Sequence, residues 1–283
     1  MRYRFLRFPN CKTKAVTLSY DDGPTADVQL LKTIDKYGIK CTFNLNNDEL
    51  RKGSGISEEQ VRELILKKGH EVAVHGANHR AEGALRPIEG ITDILNCRLE
   101  LEEKYGRIIR GMAYPDSGIR VMSNTASYTS IKQYLTELDI VYSRTLGGDN
   151  NLFRLPEDWH AWMPTAHHKN PAVMEYIEEF LNIDYANMYG ANRFPRLFYL
   201  WGHSYEFDND NNWELLEEIC KKLGNKDDIW YATNIEIYDY VTAYNSLVYS
   251  ADGKTIYNPT LYTIWFNIDG TDYSIKPGET LKI

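Results

Sequence analysis

The sequence Lys14-Ala-Val-Thr-Leu-Ser-Tyr-Asp-Asp-Gly-Pro24 determines how the rest of the chain is interpreted. Apolar residues alternate along its first part, which is typical of a β-strand, and the Gly-Pro pair marks a turn that ends the strand. Asp21 and Asp22 are therefore predicted to lie at the carboxyl end of this strand. Apolar residues then recur at helical spacing until Gly38, so the first unit is a strand, an acidic turn and a helix.

The same alternation of a short apolar run with a helical pattern continues along the chain. We expect seven strands, at residues 14–20, 40–46, 70–74, 108–114, 139–145, 196–203 and 229–233. Strands that alternate with helices form parallel sheets, and seven of them predict a closed or nearly closed (β/α) barrel over residues 1–245. Residues 246–283 break this rhythm, and their short β-prone runs around Asp269-Gly270 predict a C-terminal β-hairpin tail.

Composition excludes several classes of protein. A net charge of −8 without a run of Lys and Arg disfavours nucleic acids and anionic membranes as partners. No apolar stretch is long enough to cross a bilayer, and the first residues lack the apolar middle of a signal peptide, so we expect a cytoplasmic protein. The four cysteines form no Cys-x-x-Cys pair, which predicts reduced, mostly buried thiols.

Polar side chains gather at the predicted carboxyl ends of four strands. They are Asp21, Asp22, His75, His79, Asp116 and His203. In a parallel barrel these strand ends share one face. A carboxylate and two imidazoles can hold a divalent first-row metal and leave one position open for water. Because neighbouring residues of an extended chain point in opposite directions, one aspartate is expected to bind the ion and the other to meet its water.

A long loop over residues 147–171 is predicted to lie over the same face. Trp159 and Trp162 in this loop, together with Trp201 of the sixth strand, offer flat faces against which sugar rings can pack. The histidines of the loop are interpreted as solvated residues, with the lining of a cleft as the less favoured alternative; they are His160, His167 and His168.

At these motifs the sequence resembles the polysaccharide deacetylase family, also called the NodB-homology domain or carbohydrate esterase family 4. Ser19-Tyr-Asp-Asp-Gly23 is similar to the family's Thr-Phe-Asp-Asp-Gly motif, and His75-Gly-Ala-Asn-His79 to its His-Ser/Thr-x-x-His motif. Leu200-Trp-Gly-His203 is similar to its late Leu-x-His motif. The likeness extends over roughly residues 14–245, implies a distorted (β/α)7 barrel, and is strongest to a divergent branch that includes gellan-lyase-like proteins.

The resemblance implies roles for individual residues. Asp21 corresponds to the catalytic base and His203 to the general acid, while Asp22, His75 and His79 correspond to the metal ligands. The metal is expected to be zinc, with cobalt, nickel, manganese and iron as the other candidates. Substrate contacts are expected from Tyr114, Asp116, Trp159, Trp162 and Trp201.

The chain departs from the family pattern in one motif. Ala113-Tyr-Pro-Asp116 stands where the family has Arg-x-Pro-Tyr/Phe, so the arginine that accompanies the base is absent there and an acid replaces the aromatic residue. Asp158-Trp159 corresponds to the Asp-Trp of the fourth motif.

The predicted function is metal-dependent removal of acetyl groups from an oligo- or polysaccharide, with water on the metal as the nucleophile. An amine leaving group needs a proton more than an alcohol does, so His203 favours N-acetyl over O-acetyl substrates. The missing arginine motivates an alternative, a non-catalytic glycan-binding protein on a deacetylase scaffold. An Fe(II) enzyme with a two-histidine, one-carboxylate site is a less favoured alternative.

Overall fold

The computed structural model of the protein describes residues 2–123, 125–147 and 150–283. The strands are β1 (Arg4–Arg7), β2 (Lys14–Asp21), β3 (Cys41–Leu45), β4 (Glu71–Val74), β5 (Gly111–Ala113), β6 (Tyr142–Arg144), β7 (Ala166–His167), β8 (Arg196–Gly202), β9 (Ile229–Tyr231), β10 (Val248–Tyr249), β11 (Thr255–Tyr257), β12 (Ile264–Ile268), β13 (Thr271–Ile275) and β14 (Thr280–Lys282). The helices are α1 (Asp27–Lys36), α2 (Asn47–Lys52), α3 (Glu58–Gln60), α4 (Pro87–Tyr105), α5 (Tyr128–Glu137), α6 (Val173–Leu181), α7 (Tyr205–Asn209), α8 (Trp213–Leu223) and α9 (Asn234–Asn245). A π-helical segment over Val61–Leu66 continues α3.

The main sheet is built around β2, all of whose residues are buried. Its strands lie in the order β6, β5, β4, β3, β2, β8, β7, and every pairing among them is parallel. Helices and loops cover both faces of a parallel sheet, which is why β2 carries almost no surface-exposed side chain. The predicted parallel α/β architecture is therefore confirmed.

The barrel is distorted where the seventh predicted strand joins it. β9 pairs with the first residues of β2, at Lys14–Val16, on the edge that β3 occupies further along the strand. β8 pairs with β2 along nearly its whole length on the other edge. The carboxyl ends of β2, β4 and β8 consequently meet at one end of the barrel.

The long loop predicted over residues 147–171 contains a strand that the sequence pattern does not predict. β7 is only two residues long, and it pairs with Leu200 and Trp201 of β8. Gly148 and Asp149, near the start of this loop, lie outside the described residues. The pairing places His167 at the carboxyl end of a strand, on the same face as His203.

The C-terminal β-strands pack at the amino end of the main sheet. β12 and β13 form the predicted hairpin, with Asp269 and Gly270 at the turn, and β1 adds to the outer edge of β12. The Tyr240 hydroxyl of α9 donates to the Arg7 carbonyl and accepts from the Trp265 amide, which ties these strands to the barrel. The division of the chain at residue 246 stays a prediction.

Two further expectations concern the chain as a whole. All four cysteines are free thiols, and three of them are buried. Among the described residues, no helix combines the length and the apolar character that crossing a membrane requires.

Candidate active site

The carboxyl ends of three strands bring the predicted motifs together. β2 ends at Asp21, with Asp22 directly after it. β4 ends just before His75, and β8 ends just before His203. Atoms of Asp22, His75 and His79 that can bind a metal all lie within 4.8 Å of one another. The structure thus assembles in one place a group that the sequence spreads over separate motifs.

The geometry of this group suits a divalent cation. Oδ1 of Asp22 lies 3.3 Å from Nε2 of His79 and 3.7 Å from Nε2 of His75. Nδ1 of His75 donates to the carbonyl of Ala113 at 2.9 Å, so Nε2 keeps its lone pair and faces Asp22. Burial holds the pKa of His75 below its ordinary value and favours this neutral form.

Hydrogen bonds to Asp93 of α4 hold the loop that carries His79 in place. The Asp93 carboxylate accepts hydrogen bonds from the backbone amides of Ala77 and Asn78 and from the Asn78 side chain. Gly76 has φ +76°, and a Cβ there would lie 2.7 Å from an Asp93 oxygen. A glycine is therefore required for the loop to approach this carboxylate so closely.

Asp21 is fully buried on the other side of the strand end. Nδ2 of Asn44 donates to its Oδ1 at 2.8 Å, and the Arg144 guanidinium donates to its Oδ2. Burial alone would raise the pKa of Asp21, but Arg144, His75 and His203, with the Asn44 hydrogen bond, outweigh it and hold the pKa below its usual value. The Asp21 carboxylate is consequently ionised at neutral pH.

Arg144 corrects the expectation that Asp21 lacks an arginine partner. The motif position is Ala113, but Arg144 lies at the end of the neighbouring strand β6, fully buried, and reaches Asp21 from there. Its guanidinium also stacks 4.2 Å from the ring centre of Trp201. A cation at the carboxyl end of a predicted buried strand was the sequence signal for this residue, and sequence reasoning missed it.

His203 faces both aspartates from the opposite side. Its Nε2 lies 3.9 Å from Asp21 and 4.0 Å from Asp22. Its Nδ1 lies 3.2 Å from Oε2 of Glu206, which is also 3.1 Å from Nε2 of His167. Burial alone would lower the pKa of His203, but Glu206 and the two aspartates raise it above its ordinary value. His203 is thereby kept as a proton donor.

The loop histidines do not lie in solvent as expected. His168 is 1% exposed and stacks on Phe207, and His160 is buried with its Nε2 against the Ile140 carbonyl. His167 is partly exposed and packs edge-on against Trp201. The prediction was wrong because a two-residue strand, which leaves no periodic pattern, carries His167 and His168 into the site.

The predicted substrate residues occupy different environments. Tyr114 and Trp162 are fully buried, and the Tyr114 hydroxyl donates to the His160 carbonyl, so we do not carry them into the proposed substrate site. Trp201 is nearly buried beneath Arg144 and His203. Trp159 is half-buried and packs on Trp162 and Tyr238, whereas Asp116 is exposed on the loop after β5, with φ +50°.

A cleft of about 500 Å³ opens beside the candidate metal-binding group, and neither Trp159 nor Trp162 is among its lining residues. Its lining consists of Asp22, Pro24, Asn46, Asp48, Glu49, Lys52, Ser54, Asn78, His79, Arg80 and Tyr205. Asn46 also donates to Oδ1 of Asp22 at 2.9 Å. The sequence did not predict this side of the cleft, because α2, which provides Asp48, Glu49 and Lys52 to the lining, contains no recognisable motif.

A parallel (β/α) barrel with aspartates and histidines at its strand ends is similar in fold to polysaccharide deacetylases. The polysaccharide deacetylase family model matches residues 9–134 of this chain. The resemblance to that family is therefore confirmed, and the fold is its distorted (β/α)7 barrel. The narrower likeness to a gellan-lyase-like branch stays a prediction.

Solved structures support the same fold at low sequence identity. A Mycobacterium smegmatis protein assigned as a polysaccharide deacetylase is 18% identical, with a TM-score of 0.56 over 87% of this chain and 96% of that one. The family 4 acetyl xylan esterase of Clostridium thermocellum, in complex with a cobalt ion, is 15% identical, with a TM-score of 0.50 over 80% and 90%. The Xyl-CE4 domain of a xylanase from the hindgut metagenome of Trinervitermes trinervoides is 14% identical, with a TM-score of 0.53 over 82% and 92%. No curated protein sequence matches this chain.

Proposed function

We propose that the protein is a metal-dependent hydrolase that removes acetyl groups from an oligo- or polysaccharide. The observation that carries the proposal is the placement of Asp22, His75 and His79 within 4.8 Å of one another, beside the buried carboxylate of Asp21. A binding protein without catalysis has no need of a buried, ionised base next to such a group. The similar structures include a protein assigned as a polysaccharide deacetylase and an acetyl xylan esterase, which agrees with a saccharide substrate here.

The residues present fit a divalent metal. Asp22 offers a carboxylate oxygen, and His75 and His79 offer imidazole nitrogens, the donor set that zinc and its first-row neighbours accept. The lone pair of His75 Nε2 is set free for coordination because the other ring nitrogen donates to Ala113. When bound, the metal supplies a Lewis acid that activates water and polarises the acetyl carbonyl.

Asp21 acts as the general base in this proposal. Arg144 lowers the pKa of its carboxylate and so keeps it ionised, and hydrogen bonds from Asn44 and Arg144 hold it in one orientation. It lies 3.8 Å from Nε2 of the ligand His75, so it can take a proton from a water molecule held at the same group. A carboxylate fixed by two partners needs no rearrangement before it accepts that proton.

His203 acts as the general acid. It faces Asp21 and Asp22 through Nε2, and Glu206 holds it through Nδ1. The raised pKa of His203 keeps the ring protonated at the pH at which Asp21 is already ionised. Cleavage of an amide requires protonation of the departing amine, so a dedicated acid favours N-acetyl over O-acetyl sugars.

The test is acetate release from a panel of N-acetylated and O-acetylated oligosaccharides, by protein treated with a chelator and then resupplied with Zn²⁺ or Co²⁺. We expect release only after metal is returned, and faster release from the N-acetylated members. Asp22→Ala should lose the catalytic equivalent of metal and acetate release together, whereas Asp252→Ala in the turn between β10 and β11 should lose neither. Oligosaccharide binding without release of acetate would instead support the glycan-binding alternative.

A further inference from the structure

A second group of metal-binding side chains lies next to the proposed catalytic group. Nitrogen atoms of His167 and His203 and an oxygen of Glu206 lie within 4.8 Å of one another. These residues come from β7, from the end of β8 and from α7. They share none of their members with Asp22, His75 and His79.

The Oε2 atom of Glu206 is surrounded by more nitrogen atoms than it can accept hydrogen bonds from. The imidazoles of His167, His203 and His168 approach it at 3.1, 3.2 and 3.4 Å. The backbone amide of His203 also donates to it, at 3.1 Å. A carboxylate oxygen has about two lone-pair sites, so this oxygen cannot accept hydrogen bonds from all four nitrogens.

His168 provides an independent observation that points to a ligand. Its side chain is 1% exposed, and its Nε2 has no hydrogen-bond partner among the described residues. The same nitrogen lies 3.4 Å from Oε2 of Glu206 and therefore faces the group of His167 and His203. A buried polar atom without a hydrogen bond is costly, and a cation that binds His167 and His203 would relieve the competition for Oε2 of Glu206 that leaves this nitrogen without one.

The spacing of these atoms matches a tetrahedral cation site. Metal–ligand bonds of about 2.0–2.1 Å give a tetrahedron with edges of roughly 3.3 Å. The distances from Oε2 of Glu206 to the imidazole nitrogens of His167 and His203, 3.1 and 3.2 Å, are of that length. Two imidazoles and one carboxylate are a donor set that zinc and cobalt accept, with water at the fourth position.

We propose that His167, His203 and Glu206 form a second binding site for a divalent transition-metal ion. It fills after the catalytic group does, because Glu206 must first give up its hydrogen bonds to His167 and His203. Binding at Nδ1 of His203 releases the proton on that nitrogen to solvent. The ring of His203 can then no longer exist in its doubly protonated form.

This second site has a consequence that rests on the proposed function. If His203 is the general acid, a cation on its Nδ1 removes the acidic form that protonates the leaving group. The first equivalent of metal is then activating and the second is inhibitory, with acetate release falling at least tenfold once the second site is filled. Replacing His167 removes a ligand of the second site, so this inhibition is lost in His167→Gln.

The experiment is a titration of chelator-treated protein with Co²⁺, read as visible absorption and as bound metal after dialysis. We expect two equivalents in the wild-type chain, one in His167→Gln and one in His79→Gln, and none in the protein that carries both changes. Glu206→Gln gives a second test of the same site, and circular dichroism of each metal-free variant confirms that it is folded.

Uptake of a single equivalent by the wild-type chain overturns the proposal, as does uptake of two by folded His167→Gln and Glu206→Gln. The readout of stoichiometry is independent of acetate release. Two equivalents without any deacetylation would reject the proposed function and leave the second site standing. Deacetylation by a wild-type chain that binds only one equivalent of metal would support the proposed function and reject the second site.

Discussion

Arg144 supplies the charge that keeps the fully buried carboxylate of Asp21 ionised. Burial of Asp21 works against ionisation, and the guanidinium of Arg144 is the largest contribution that opposes it. Because the two residues are 123 positions apart in the chain, no local motif contains both. Asp22, His75 and His79 could be predicted because each lies within a short contiguous motif, whereas the partner of Asp21 depends on a contact between distant strands.

Replacing Arg144 tests this pairing. Arg144→Ala removes the contribution that lowers the pKa of Asp21, so the base stays protonated to higher pH and the acidic limb of the kcat/KM profile moves to higher pH. We expect a loss of roughly tenfold or more near neutral pH, since each unit of pKa is about a tenfold change. The pH dependence of acetate release measures this shift.

The same substitution leaves a buried charge without its partner, and it should lower the free energy of unfolding by about 3–5 kcal/mol. Arg144→Lys is the matched control, because it keeps the charge and should give an intermediate profile. An acidic limb that is unchanged in Arg144→Ala, measured where the protein is folded, would contradict the assignment of Asp21 as the base.

Glu206 keeps His203 protonated, and its removal makes the opposite change in the pH profile. Glu206→Gln takes away a hydrogen-bonded negative charge, so the pKa of His203 falls and the alkaline limb of the kcat profile moves to lower pH. We expect kcat to fall by about tenfold, within the range that general acid catalysis contributes. Glu214→Gln, an exposed change on α8, is the control and should keep the wild-type profile. Identical alkaline limbs in the two variants would reject this role for Glu206.

At the scale of elements, β2 and its neighbours could be predicted because their apolar runs are long and their turns contain Gly and Pro. β7 could not be predicted, since two residues give no periodicity, and its pairing with β8 appears only in the folded sheet. The histidines that β7 carries were misinterpreted for the same reason. An element as short as this is defined by its partner rather than by its own sequence.

α4 is an element that supports the candidate metal-binding group through the loop that carries His79. Its Asp93 holds the loop between His75 and His79 by three hydrogen bonds. Asp93→Ala should therefore weaken metal binding by about 10- to 100-fold, the usual effect of losing a group behind a metal ligand. Competition against a chelator of known affinity measures the loss. Glu103→Ala, on an exposed position of the same helix, should bind metal as the wild type does, and equal affinities in both variants would contradict this role.

At the scale of the whole molecule, the two ends of the chain pack together at the amino end of the barrel, away from the site. β1 joins the C-terminal hairpin, a pairing that the sequence pattern of either segment alone does not reveal. Phe266 of β12 is fully buried among residues that include Phe8, Ala15 and Tyr240. This position indicates that the C-terminal strands stabilise the barrel rather than bind substrate.

Phe266→Ala separates these two roles. Loss of a buried aromatic side chain should lower the free energy of unfolding by about 3–5 kcal/mol. The KM for the oligosaccharide and the affinity for metal should stay unchanged at a temperature where the variant is folded. Tyr257→Ala, at a position that is 42% exposed, should change stability by less than about 0.5 kcal/mol. A raised KM in Phe266→Ala with unchanged stability would assign these strands to substrate binding instead.

The central claim is that Asp22, His75 and His79 hold one catalytic cation. Anomalous diffraction at the cobalt edge, from crystals of the protein loaded with one equivalent of Co²⁺, tests it most directly. We predict a single strong peak about 2.0–2.2 Å from the Asp22 carboxylate and from Nε2 of both histidines. A peak elsewhere, or no peak in a crystal whose protein carries one bound equivalent, would contradict the account.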